Sequence, residues 1–286
     1  MATAPSQTKP RDGSCTPVQS FPSSDFTDEK ALYHHARNIL LNSDFHQEIV
    51  YTGVTCQWAD TVLRKLDEDP GIGHVRKHYN SVTKTAWIRT MPTTVHDCHQ
   101  RWFSKSEKAW YRAGLLTAAE TDDINYYAGT TTEWIGGPYA GSRKEPDLGV
   151  QVDNLSYPTF VIETGWSESL ARLRDDMNLW LVGSSETNVV IILKWRRVAN
   201  TIQVKGDLEV YRRDRSGIPS LQQSEVIFPA PPQAQAQLQQ VSLTRRELFG
   251  RGIFQGSNAN DVFNLPLDVL RTVATEALAR MRLQPA

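Results

Sequence analysis

The residues best placed for chemistry are Asp147 and Glu163, carboxylates carried by two short, mostly apolar segments, residues 146–152 and 159–164. In an extended chain side chains alternate between faces, so Leu148, Val150 and Val152 point one way and Asp147, Gly149 and Gln151 the other. With the segments paired as neighbouring strands, Asp147 lies near the start of one and Glu163 near the end of the next, and both carboxylates converge at one end of the sheet. Two carboxylates, a backbone carbonyl and several waters suit a hard divalent ion such as Mg²⁺, which can present a water as nucleophile to a phosphodiester. Carboxylates on strands are also commonly solvated or salt-linked with no catalytic part, and the spacing alone leaves that alternative open.

After Glu163 a strand hands over to a helix, and there Ser167 and Ser169 flank Glu168 behind Gly165 and Trp166. One reading makes the serines caps, with Glu168 favouring the positive helix end, each worth about 0.5–1 kcal/mol. The other lets Gly165 admit a ligand close to the backbone, the hydroxyls and free helix amides meeting a phosphate and Trp166 stacking on a base. A basic tract, Lys194, Arg196, Arg197, Lys205, Arg212, Arg213 and Arg215, is interleaved with Trp195 and Tyr211. That pattern fits a nucleic-acid surface or a strand margin guarded against edge pairing. His96, Cys98 and His99 lack a further ligand at zinc-finger spacing, so no zinc is assigned, and Gly71-Ile72-Gly73 is a turn without the context of a nucleotide loop.

These groups need a frame. Apolar residues make up 40% and charged residues 22% of the 286, which excludes a wholly disordered or fibrous chain. A net charge of −1 gives no bulk attraction for polyanions, so nucleic-acid contact must rest on a local patch. No apolar run approaches the ~18–20 residues of a membrane helix, and residues 1–10 lack a signal core; the expectation is an intracellular protein of cytoplasm or nucleus with no membrane partner. Cys15, Cys56 and Cys98 are widely spaced and fit reduced thiols.

Residues 1–25, rich in Ser, Thr, Pro and Gln, read as a disordered tail. Residues 26–125 read as a helical part packed on the core, with a helix from Asp28 (Leu32, Ala36, Ile39, Leu40), others at 58–66 and 95–116, and a strand at 85–90. Residues 126–228 carry an α/β core. Its strands at 131–135 and 146–152 form a hairpin, followed by a strand at 159–164, a helix at 168–182, a buried strand at 188–195 and another at 208–212. Residues 229–286 supply a linker, a short helix opened by the Thr244/Glu247 capping box, and an amphipathic helix from Pro266. None of these patterns encodes an oligomeric state.

The ordered set Glu145-Pro146-Asp147, then Pro158-Thr159-Phe160-Val161-Ile162-Glu163-Thr164-Gly165-Trp166-Ser167-Glu168-Ser169, then a helix and an apolar strand, resembles the PD-(D/E)XK nuclease superfamily. The likeness spans residues 131–195 and is greatest to fungal members with a Lys-Glu-x-Asp strand start and a Glu-x-Gly-x-Ser-Glu-Ser segment. It implies a mixed central sheet with a restriction-endonuclease-like βββαβ core, an N-terminal helical extension and a C-terminal helix. It also implies Mg²⁺ on Asp147 and Glu163 and hydrolysis of DNA or RNA. In that superfamily a lysine two residues after the glutamate helps activate water, and here that position is Gly165. The candidate replacements are Lys144, Arg174 and Lys194; Arg174 can neutralise charge but cannot act as a base. The departure at Gly165 leaves a second expectation, a nuclease fold that binds or scaffolds without cutting.

Overall fold

The structure, a computed structural model, describes residues 18–42, 47–73, 75–90, 94–134, 136–153, 155–166 and 168–286. The chain opens with β1 (Gln19–Pro22), α1 (Glu29–Leu41), β2 (Glu48–Thr52), α2 (Cys56–Glu68), β3 (Val75–Asn80) and β4 (Thr85–Thr90). The stretch expected to be a helical extension therefore also builds a sheet. Its alternation explains why: Ile49, Tyr51, Val75, Tyr79, Ala86 and Ile88 face an apolar layer with Leu32, Ala36 and Leu63 of α1 and α2. The opposite face carries Glu48, Arg76, His78, Trp87 and Arg89. Asp28 and Thr55 cap the two helices, accepting from the amides of Ala31 and Trp58. Residues 19–22, assigned to the disordered tail, pair in parallel with β2, because Phe21 packs against the apolar layer; residues 1–17 lie outside the described residues.

The middle of the chain forms α3 (Cys98–Arg112), α4 (Ala118–Asp122), β5 (Ile124–Tyr127), β6 (Thr132–Glu133), β7 (Arg143–Lys144), β8 (Leu148–Val152), β9 (Phe160–Gly165), α5 (Leu170–Gly183), β10 (Val189–Arg197), β11 (Gln203–Arg213) and β12 (Pro219–Phe228). A six-stranded sheet runs β1-β2-β4-β3-β7-β6, and a larger one runs β12-β11-β10-β9-β8-β5. The molecule is thus mixed α/β. The expected hairpin of residues 131–135 with 146–152 does not form, since β6 pairs with β7 in the first sheet while β8 pairs with β5 and β9 in the second. The β9-α5-β10 crossover is parallel, as the sequence predicts.

The chain closes with α6 (Gln233–Ala236), β13 (Gln240–Thr244), α7 (Arg245–Phe249), β14 (Val262–Pro266), α8 (Leu267–Arg280) and β15 (Gln284–Pro285), which extends the second sheet beside β11. The Thr244/Glu247 capping box is present. Leu270, Val273 and Ala277 seat α8 on the second sheet, and α3 joins them by donating from the Trp102 and Trp110 indoles to backbone carbonyls of β14. Among the described residues no helix is long and apolar enough to cross a membrane.

Candidate functional site

The polar face of the first sheet meets the ends of β8 and β9 and the start of α5 in a buried charged seam. Strand register sets its composition. Glu48 faces Arg89 and Arg89 faces Arg76, so the three form a row across β2, β4 and β3. In the second sheet Leu148 faces Ile162, and the same register carried one residue further sets Asp147 against Glu163. Period-two geometry puts both on the face that carries Val161 and packs on α5. The two carboxylates therefore gather at one end of the sheet, as their spacing suggested.

Asp147 is 1% exposed and is held on both oxygens. Its Oδ1 accepts from the guanidiniums of Arg76 and Arg89, the latter at 2.9 Å. Its Oδ2 accepts from the Thr164 amide at 2.8 Å and lies 3.3 Å from His96 Nε2. His96 sits in the turn leading into α3, with its Nδ1 2.9 Å from Asp97 Oδ1. Burial alone would raise the Asp147 pKa, but His96, Arg89 and Arg76 hold it well below the usual carboxylate range. Of the roughly four acceptor positions a carboxylate offers, three here take hydrogen bonds from Arg76, Arg89 and the Thr164 amide, while His96 Nε2 lies close by.

Around Glu163 the balance is reversed. Its Oε1 accepts from the Trp180 indole of α5 at 2.6 Å, and its Oε2 lies 3.2 Å from Lys144 Nζ. Lys144 also donates to Asp176 at 2.9 Å, so one ammonium serves two buried carboxylates. Burial pushes the Glu163 carboxyl up to about 8, with Lys144 opposing and Asp147 and Asp176 adding to the rise. Glu168, 1% exposed, has one oxygen with no hydrogen-bond partner; burial and the neighbouring Asp176 raise it well above the ordinary value. His78, 3.8 Å from Asp176 and stacked edge-on against Trp87, is held well below its usual pKa by burial and by Lys144. A cleft of about 80 Å³ lined in part by His78, Arg172 and Asp176 opens beside this end of the seam.

The expected Mg²⁺ site can be tested against these contacts. Mg²⁺ needs an acceptor lone pair from each carboxylate and keeps several waters, yet both Asp147 oxygens already accept hydrogen bonds and two guanidiniums neutralise it. Among the described residues no group of three or more His, Cys, Asp or Glu is arranged to hold a metal. The residues in this arrangement do not fit the ion.

The remaining candidates divide. Lys144 joins the cluster, whereas Arg174 turns outward and forms a two-point pair with Glu209 at 2.6 and 3.1 Å, so it does not approach Asp147 or Glu163. Lys194 is buried and donates to the Trp166 carbonyl at 2.9 Å, which removes it from any nucleic-acid surface. Arg196 and Arg197 are exposed, the first paired with Asp207 and the second donating to the Thr201 carbonyl. Arg212 and Arg213 hold Glu247 and the end of α5, whereas Lys205 and Arg215 are exposed, so the basic tract divides between structural and surface positions. Ser169 is the α5 N-cap and accepts from the Arg172 amide; Ser167 lies outside the described residues. Trp166 is buried. Gly165 has a packing reason: a Cβ there would lie 2.9 Å from Leu173 Cδ1 and 3.2 Å from Glu168 Cβ, so a side chain at this position would have to displace the Leu173 methyl group.

Sequence reasoning missed Arg76, Arg89, His96, Glu48, Glu168 and Asp176 as members of one cluster. The available signal was the alternation in residues 75–80 and 85–90, where Arg76, His78 and Arg89 share a face opposite the apolar residues. No protein-family model, curated protein or solved structure matches this chain.

Proposed function

We propose that this chain is a restriction-endonuclease-like module that has given up hydrolysis and works by binding or scaffolding. The observation that carries this reading is that both Asp147 oxygens are taken up by Arg76, Arg89 and the Thr164 amide, with His96 3.3 Å away. Gly165 supports it, because the position where that superfamily carries the water-activating lysine is a glycine packed against Leu173. The exposed basic residues of the tract left for a nucleic-acid partner are Arg196 and Arg197 at the end of β10, Lys205 opposite Arg196 on β11, and Arg215 just beyond β11.

A second reading, Mg²⁺-dependent hydrolysis of DNA or RNA, is favoured by one contact, Lys144 Nζ at 3.2 Å from Glu163 Oε2. There Lys144 would replace the motif lysine, with Asp147 and Glu163 as ligands once Arg76 and Arg89 had left Asp147.

The deciding experiment incubates the purified full chain with single- and double-stranded DNA and RNA in Mg²⁺ or Mn²⁺, beside the Lys144→Met variant. The expected result is no cleavage by either protein, with any retained nucleic acid released when Arg196, Arg197 and Lys205 are replaced by Ala. Metal-dependent cleavage by the wild type that Lys144→Met abolishes would establish the second reading instead.

A further inference from the structure

We propose that the outward face of α3 is a docking ridge for an acidic α-helix of another protein, recognised through a row of four cations, Arg101, Lys105, Lys108 and Arg112. All four are exposed, unlike the buried seam around Asp147, and the proposal stands whether or not the chain cuts nucleic acid.

The row follows from spacing. Its members recur at intervals of four, three and four residues, so on a helix they stand in one line about 16 Å long. Because α3 turns Trp102, Phe103, Ser106 and Trp110 inward, that line faces solvent. The one acid of the helix, Glu107, is buried and accepts from Tyr126, so every charge that α3 exposes is positive, in a chain whose net charge is −1. The helix itself gains little from this arrangement. Arg101 sits in the first turn, where the dipole disfavours a cation, and like charges four residues apart repel. Arg101 pairs with Glu276 of α8 at 2.7 Å, whereas Lys105, Lys108 and Arg112 form no ion pair among the described residues. That one pair indicates what fits the others. Glu276 is a carboxylate presented by a helix packed alongside, and its hydrogen bond from Arg101 holds it below its ordinary value, with Lys105 and Arg280 adding to the effect. A second helix laid along the row, with Asp or Glu at the same spacing, brings carboxylates to the three cations left over. Near the end of the row Tyr111 is 50% and Leu115 38% exposed. An aliphatic side chain beside the cations suits a protein partner, which buries apolar area, over a chain of phosphates.

The test measures binding of fluorescent probes to the intact chain by anisotropy at low salt. One helical peptide carries Glu at four-three-four spacing with a Leu one turn further; a second scrambles the same residues, and a third has Lys for each Glu. The chain should bind the first saturably and at least about fivefold more tightly than the second, which presents the same charge off the row. K105E/K108E/R112E should lose about tenfold or more in affinity for the first peptide and gain the third, which the wild type rejects. That exchange of partners requires a folded chain; should the reversal not fold, K105Q/K108Q/R112Q must show the same loss. Y111A/L115A should weaken the first peptide about threefold. No saturable binding, equal affinity for the ordered and scrambled peptides, or unchanged affinity in these variants would overturn the proposal. So would tighter binding of oligodeoxythymidine or of phosphatidylserine vesicles that the same substitutions abolish, because the row would then be a phosphate surface.

Discussion

The two ends of the charged seam are opposites. At Asp147 two guanidiniums, an imidazole and a backbone amide serve one carboxylate; around Lys144 a single ammonium serves Glu163 and Asp176, with Glu168 close by. Burial is equally deep at both, so it cannot explain why Asp147 is pushed down while Glu163 and Glu168 are pushed up. The number of cations in reach decides it. A buried carboxylate with surplus donors is an anchored anion, whereas one that shares a donor keeps its proton to higher pH.

The harshest way to break this contrast is Asp147→Ala, which strands Arg76 and Arg89 without their common partner. It should cost about 3–5 kcal/mol, read from the shift of the urea midpoint. A loss below about 1 kcal/mol would mean that the anchored end carries no special weight.

Next comes Gly165→Lys, which places a lysine where the resembled nuclease superfamily carries one. With Leu173 Cδ1 2.9 Å from the new Cβ, it should destabilise by about 2–3 kcal/mol and produce no nuclease activity. A stable, cleaving variant would instead show that α5 yields readily.

The shared end predicts a pH signature. Glu163 has an ordinary value of 4.5 and is raised to about 8 in the fold, so between these values the native state holds more protons than the unfolded one. Its contribution is complete below about pH 4.5 and is lost as pH rises toward 8, with a slope of at most about 1.4 kcal/mol per pH unit for one proton. Asp147 has the opposite sign: its contribution is complete above its ordinary value of 3.8 and is lost as pH falls below it. Thermal melts across this range should therefore show a maximum in mild acid, and Glu163→Gln should make the alkaline limb shallower while leaving the acid limb in place. An unchanged alkaline limb would assign it to Glu168 or Asp176.

The smallest effect belongs outside the seam. Arg196 and Asp207 form an exposed pair, with the Arg196 side chain 56% accessible, and Arg196→Ala should move the urea midpoint by no more than about 0.5 kcal/mol equivalent.

The β9-α5-β10 unit was legible because an apolar run, a glycine and a helical stripe are local patterns. So was the approach of Asp147 and Glu163, which follows from alternation along adjacent strands. The first sheet was harder to read. Residues 48–52 are too few to advertise a period; in the second sheet, residues 219–228 are polar enough to pass for loop. The wrong hairpin arose because β6 and β8 are each plausible partners by proximity, and only the fold assigns β6 to one sheet and β8 to the other. The cations that control Asp147 lie 71 and 58 residues before it, a separation no local pattern encodes.

The row of Glu48, Arg89 and Arg76 also acts on strand alignment. A slip of β4 by one position would turn Arg89 into the apolar layer beneath α1 and α2 and send Ile88 among the charges. Both exchanges are unfavourable, so the charged row works as a key that admits a single pairing of the three strands, and the sheet's fidelity is written in its least sheet-like residues.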